Sequence, residues 1–320
     1  MENYNATYWC SWGGNQSFEN TEGGVFITNP IDITEIPEVY NTVIVSFIVA
    51  KDDKVTPELS SPIDLNKIQI TKAKNQKVLI SIGGANADFK ITTQKEADTF
   101  EKGLIEIIEV NGFDGIDVDI EAGAMQSDAK LFGEVMLNVA KHFRGDHEEF
   151  MLTAAPEFPY LEINAWYARM FDAIGMANVT VIWPQFYNQG IANGPNINPA
   201  GWEVVSPEKD DMAKFLAAFA WALTTDEGHA ANSNYMLIPK EKLAIGIPAS
   251  NGAAGDPLYV TTPDEMAEAY ESIKNHYKTS VVGFMNWSAD FDALARDVGE
   301  AKYNHTAWET GKKAAEILGL

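Results

Sequence analysis

The chain has one cysteine, five histidines, few basic residues and no long apolar run, and each shortage removes a class of explanation. With Cys10 alone, no intrachain disulfide can form, and the thiol reads as a lone buried group. His142, His147, His229, His276 and His305 stand singly, without an HExxH run or a close pair. All five therefore read as structural or exposed, and no metal site is expected. Lysine and arginine number 23 against 46 acids, for a formal charge of −23. Such a surface repels nucleic acid and anionic membranes, so neither is expected as a partner. No apolar stretch approaches the roughly 20 residues that span a bilayer. The N-terminus, Met1-Glu2-Asn3-Tyr4, lacks the basic patch and apolar core of a signal peptide. That leaves cytoplasmic synthesis, another export route or a leader already removed.

What is present is concentrated between Asp114 and Glu121, where the chain reads Asp-Gly-Ile-Asp-Val-Asp-Ile-Glu. Asp117, Asp119 and Glu121 recur at i, i+2, i+4, with Ile116, Val118 and Ile120 between them. This is the pattern of a β-strand with an apolar face and an acidic one. Carboxylates about 7 Å apart along one strand face raise one another's proton affinity. An acid so placed stays protonated near neutral pH and can donate to a leaving group. A solvated acidic edge is the plain alternative. At average usage of roughly 6 % for each acid, chance gives DxxDxDxE on the order of 0.004 times in this length. The excess of acids raises that several-fold without making the pattern expected. A calcium loop would want a Gly-centred turn rather than β-branched residues between the acids. Catalysis is the stronger reading.

A hydrophobic fraction of 46 % over 320 residues suits either two average domains or one α/β barrel. The order of elements chooses between them. Strand patterns fall at Ala6–Trp9, Thr42–Val49, Lys77–Ile82, Gly115–Ile120, Phe150–Ala155, Val179–Phe186, Lys242–Ile247 and Ser280–Trp287. Helical patterns between them are clearest at Glu96–Val110, Ser127–Phe143, Ile163–Ile174, Pro207–Leu223 and Pro263–Tyr277. Ser206-Pro207-Glu208 and Thr262-Pro263-Asp264 read as N-caps followed by Pro at the first helical position. Strand then helix, about eight times, predicts a (β/α)₈ TIM barrel of the α/β class. No Pro/Ser/Gly linker divides the chain, so residues 1–320 are expected to form one catalytic domain without an appended carbohydrate-binding module. In a barrel the chemistry lies at the C-terminal strand ends. Ser81-Ile82-Gly83-Gly84, Glu121, Pro156-Glu157, Gln185-Phe186-Tyr187-Asn188 and Asn286-Trp287-Ser288 fall there. Gln189–Ser206, the longest connection, is expected to wall the groove. Asp114, three residues before Asp117, is expected below the mouth in a structural role.

Ser81-Ile82-Gly83-Gly84 and Asp114 to Glu121 together resemble the SxGG and DxxDxDxE signatures of the family-18 glycoside hydrolases, the chitinases and their relatives. Supporting matches run nearly end to end, through Tyr8-Trp9, Ala155-Pro156-Glu157, Gln185-Phe186-Tyr187-Asn188 as in the plant-type members, and Trp287. The resemblance implies Glu121 as the general acid and later base. The nucleophile would be the substrate's own 2-acetamido group rather than a second carboxylate. It implies that Asp119 holds the acetamido N–H and stabilises the oxazolinium ion, and that Asp117 shares a proton with Asp119 and takes hydrogen bonds from Tyr8 and Ser81. Tyr187 would hold the acetamido carbonyl oxygen, and Trp287 would be the apolar floor under the sugar. Gly83 and Gly84 would clear space for the sugar chain, and Phe47, Ala155, Glu157, Gln185 and Asn188 would complete the substrate site. Ser46-Phe47 and Trp287-Ser288 match places where the family carries non-proline cis peptides. A lone Trp or Tyr at a strand end is more often core than ligand, and the barrel mouth reverses that for Tyr187 and Trp287. Trp12, Trp183 and Trp202 stay divided between packing and outer sugar subsites.

The implied activity is endo-acting hydrolysis of chitin or chito-oligosaccharides by a monomer, without metal or organic cofactor, secreted as the resemblance suggests. Pro248–Thr279 is too short for the α+β insertion that deepens the cleft in processive members, so an open groove is expected. An endo-β-N-acetylglucosaminidase acting on N-glycans uses the same residues and is the nearest alternative. An inactive chitin-binding lectin of the same fold would lose the acid position, which Glu121 fills.

Overall fold

The computed structural model describes residues 2–12, 31–85, 87–121, 125–145, 149–187, 197–199, 205–206, 211–254, 257–293 and 305–320. Its strands are β1 (Tyr4–Cys10), β2 (Thr42–Ala50), β3 (Pro57–Leu59), β4 (Lys77–Gly83), β5 (Gly115–Asp119), β6 (Met151–Ala154), β7 (Val181–Ile182), β8 (Ile245–Pro248) and β9 (Gly283–Trp287). Leaving out β3, they pair in parallel in the order β7-β6-β5-β4-β2-β1-β9-β8. Parallel bridges Ile182↔Leu243 and Gln185↔Gly246 join the two ends of that order. The result is the (β/α)₈ barrel that the alternation of patterns predicts. All eight expected strands are present, most of them shorter than their apolar runs. β3 is an addition, an antiparallel return on β2.

Helices α1 (Leu65–Ala73), α2 (Gln94–Asn111), α3 (Ala129–Arg144), α4 (Trp166–Ile174), α5 (Met212–Thr224), α6 (Asp226–Ala231), α7 (Pro263–Asn275), α8 (Ala289–Asp292) and α9 (Glu309–Leu318) complete the described elements. Local chemistry sets their starts. Thr93 with Glu96, and Thr262 with Glu265, form capping boxes at α2 and α7, each satisfying backbone N–H groups at the helix entry. The start expected at Pro207 is a correction. Residues 207–210 lie outside the described residues, and α5 begins at Met212, because extended Asp211 is the N-cap and accepts from Lys214 N–H. α4 likewise begins later than its apolar pattern, at Trp166, after a 3₁₀ turn over Phe158–Leu161 and a bridge from Glu162 to Tyr235. No clear pattern marked α1, which buries only Ile68 and Thr71. Among the described residues, no helix is long and apolar enough to cross a membrane.

Two apolar layers follow from the strand pleat. Ile116, Val118 and Ile120 join the large core between sheet and helices, with Phe100, Phe132 and Tyr167. The opposite faces of the strands fill the barrel interior with Ala6, Tyr8, Ile44, Leu79, Met151, Trp183 and Met285. Asp117 and Asp119, alternating with the outward apolar residues, therefore project into that interior. Asp114 lies at the other end, where its carboxylate pairs with Lys72 at 2.7 Å and accepts from Val78 N–H at 2.9 Å. Its place below the mouth is the expected one.

Candidate active site

Asp117 has no solvent exposure and sits inside a ring of four donors. Its Oδ2 accepts from the Tyr8 hydroxyl at 2.5 Å and the Ser81 hydroxyl at 2.8 Å; its Oδ1 accepts from the Thr153 hydroxyl at 2.6 Å and Trp183 Nε1 at 3.0 Å. Burial pushes its pKa up while those hydrogen bonds pull it down. Asp119, 3 % exposed, accepts from Gln185 Nε2 at 2.7 Å. Burial and the neighbouring Glu121, Asp117 and Glu157 push its pKa well up. The inner acid is thus supported by hydrogen bonds and the middle one is driven toward the neutral form.

Glu121 follows β5 and is half-buried. Burial first, then the charge of Glu157, raise its pKa to about 7, against an opposing hydrogen bond from Gln185. A carboxyl tuned there is protonated in a large fraction of molecules at neutral pH and reaches solvent on one side. That is the state a general acid needs. Tyr187 is buried among these acids, and burial, Asp119, Glu121, Glu157 and Asp117 all raise its pKa, so its phenol stays a donor. Glu157 is in parallel register with Gln185, whose amide also donates to Ala155 C=O at 3.0 Å.

Beside the acids stands an aromatic group from three strands. Phe47 and Trp287 stack at 6.2 Å and 12°, Trp12 stacks on Phe47 at 5.8 Å and 22°, and Tyr8 packs on Trp287 at 5.6 Å. Ser46-Phe47 and Trp287-Ser288 are both cis. Gly83 and Gly84 have positive φ, 128° and 78°, and the space their missing Cβ atoms leave is occupied by protein. A Cβ on Gly83 would lie 2.0 Å from Asp119 C=O, and one on Gly84 would lie 2.7 Å from the Phe47 ring. These glycines let β4 close on β5 and on Phe47, a packing demand that stands apart from any passage for sugar.

The model of the glycosyl hydrolases of family 18 matches residues 5–315. The chain belongs to that family. Among its relatives, a chitinase of Enterococcus faecalis is 27 % identical over 93 % of this chain and 84 % of its own length. An endochitinase 4 of Metarhizium anisopliae is 28 % identical over 69 % of this chain and 77 % of its own. A family-18 chitinase structure from Chromobacterium violaceum superposes with a TM-score of 0.73 at 18 % identity, covering 100 % of this chain and 84 % of that one. A xylanase and amylase inhibitor protein also shares the fold, with a TM-score of 0.56 at 21 % identity over 98 % of this chain and 97 % of that one. The barrel alone therefore does not fix an activity.

Of the family-type residues expected from the sequence, Tyr8, Ser81, Asp117, Asp119, Gln185, Ala155, Glu157, Glu121 and Tyr187 gather around the acids, and Phe47 and Trp287 form the aromatic wall. Asn188 and Trp202 lie outside the described residues, as does most of the expected wall, residues 189–196 and 200–204. Trp183 is decided by burial. It is fully enclosed and bonded to Asp117, so it is packing rather than an outer subsite. Thr153 was missed, although a signal was present: one hydroxyl in the apolar run Met151–Ala154, opposite Asp117 across the sheet.

Proposed function

We propose that this family-18 glycoside hydrolase cleaves β-1,4 bonds between N-acetylglucosamine units of chitin or chito-oligosaccharides, within the chain and with retention of configuration. The observation that carries the reading is Glu121, half-buried with a pKa raised to about 7, following buried Asp119 and Asp117 on one strand. Glu121 gives its proton to the glycosidic oxygen as the C1–O bond breaks. The carbonyl oxygen of the substrate's 2-acetamido group attacks C1, closing an oxazolinium ring. Asp119, once its proton has passed to Asp117, accepts the acetamido N–H and balances the developing positive charge, and Tyr187 donates to the acetamido oxygen and aligns it for attack. Water, deprotonated by Glu121, then opens the ring at C1 and restores both the acetamido group and the acid. The stacked Phe47 and Trp287 offer an apolar face to the C–H surface of a sugar.

Cleavage inside the chain is favoured by the β8–β9 connection. It carries 3₁₀ turns at Asn251–Ala253 and Pro257–Tyr259 and the helix α7, with no room for a further domain over the groove. The inactive reading, which the inhibitor protein's fold keeps in view, fits poorly with an intact Glu121 tuned near neutrality. Turnover of a fluorogenic chito-oligosaccharide, run beside release of glycan from a high-mannose glycoprotein, tests the proposal. Chito-oligosaccharide hydrolysis alone supports it, glycan release alone moves the substrate to N-glycans, and neither activity overturns it.

A further inference from the structure

The β5–β6 ladder opens at the catalytic end, and the groups it frees are used again. Ala155 N–H donates to Val118 C=O at 2.9 Å, so the next rung of a parallel ladder would run from Ile120 N–H to Ala155 C=O. Both groups are engaged elsewhere. Ala155 C=O accepts from the Gln185 amide at 3.0 Å, and Ile120 N–H donates to the Tyr167 phenol oxygen at 2.7 Å. Tyr167 belongs to α4, is fully buried, and directs its own proton to Val118 C=O at 3.4 Å. The peptide unit between Asp119 and Ile120 is held at its other end too, because Gly84 N–H donates to Asp119 C=O at 2.7 Å. That peptide lies between the side chains of Asp119 and Glu121 and is fixed at both polar atoms, by the end of β4 and by a helix.

We propose that the Tyr167 hydroxyl is a positioning residue for Glu121, clamping the Asp119–Ile120 peptide where the ladder opens so that the acid and its neighbour keep their spacing. The inference rests on the reading of Glu121 as the general acid. Tyr167 touches no substrate in this account and acts through the backbone. Its ring packs on Trp166 at 5.2 Å and Phe171 at 6.0 Å, contacts that phenylalanine would keep, so the hydroxyl can be tested apart from the packing. Without it, Ile120 N–H is left buried and without this partner, and the peptide can rotate to find another. Displacements of about 1 Å at a catalytic group cost on the order of a hundredfold in rate.

The test compares Tyr167→Phe with Met170→Ala, a second fully buried position on α4 that loses packing without touching the Ile120 hydrogen bond. On a chito-oligosaccharide, Tyr167→Phe should lower kcat about 10- to 100-fold with KM within about twofold, and should shift the basic limb of the kcat–pH profile. Met170→Ala should lower the melting temperature and leave both unchanged. Unaltered kcat in Tyr167→Phe, or equal losses of rate in the two variants at matched melting temperature, overturns the proposal. If Tyr167→Phe does not fold, 3,5-difluorotyrosine at this position keeps the shape and weakens the acceptor. A severalfold drop in kcat then supports the clamp, and no drop overturns it. Glu121→Gln, run alongside, separates the two claims. If it is inactive while Tyr167→Phe keeps full rate, only the clamp fails; if it keeps its rate, the reading of the acid fails.

Discussion

Thr153 stands opposite Asp117 in the β5–β6 register and donates its hydroxyl to Asp117 Oδ1 at 2.6 Å, while Ser81, opposite Asp117 on the β4 side, donates to Oδ2 at 2.8 Å. The innermost acid is thus held by both of its strand neighbours, and these two of its four hydrogen bonds follow from register. A buried carboxyl that loses one donor binds its proton more tightly, which shifts the balance of protons between Asp117 and Asp119.

Thr153→Val keeps the shape of the side chain and removes that donor. It should cost about 1–3 kcal/mol of stability and lower kcat, with less effect on KM. Urea denaturation and steady-state kinetics read the two effects. A variant with wild-type midpoint and rate would remove Thr153 from the proton-sharing group.

Glu121→Gln should fold and still bind oligosaccharide while losing about 10²- to 10⁴-fold in turnover. It should also gain stability at high pH. The folded-state pKa of Glu121, about 7, lies above the ordinary 4.5 of a glutamate, so its proton favours the folded state. That contribution is fully present below about 4.5 and is lost as pH rises through about 7. The Gln variant escapes the loss. Its advantage over the parent should grow between pH 4.5 and 7 and level off near 1–3 kcal/mol, as thermal or urea melts across pH would record.

The rate itself should fall as pH rises through about 7, where the acid loses its proton. After burial, the charge of Glu157 is the largest cause that keeps Glu121 protonated. Glu157→Gln should therefore move the basic limb of the kcat/KM profile to lower pH, while Glu149→Gln, paired with Lys77 at 2.7 Å, should leave it in place. The apparent pKa belongs to the cluster as a whole, so the shift is to be read from the whole profile. A limb unmoved by Glu157→Gln would remove that carboxylate from the tuning.

Much of this was legible in the sequence because it depends on periods. Alternation along Gly115–Ile120 separates apolar residues from acids, and eight such runs with helices between them give the barrel. Capping at Thr262 was readable because Pro263 and Glu265 follow it, whereas Ser206-Pro207 carries the same local signal and α5 starts five residues later, at a cap made by Asp211. Side-chain contacts across the sheet were less visible. Thr153 could be found once strand register was known, and Trp183 could be placed only by its burial against Asp117. Tyr167 left no sequence signal, because its helix reaches the end of β5 through tertiary packing.

The nucleophile is the last point to be tested. If the acetamido oxygen of the cleaved sugar attacks C1, removing that acetyl group removes the nucleophile and leaves the remaining hydroxyls to bind. Partly deacetylated chitosan should then be cut only after acetylated units, and the products should appear first as β-anomers, since two displacements at C1 retain configuration. A thiazoline mimic of the cyclised intermediate should compete with substrate. Asp119→Ala and Tyr187→Phe should each weaken it, because each removes a contact that counts most toward the charged, cyclised species. Sequencing the new reducing ends of a partial digest decides the matter. Glucosamine there as often as N-acetylglucosamine would sink the substrate-assisted mechanism, and with it the roles given to Asp119 and Tyr187, while leaving Glu121 as the acid.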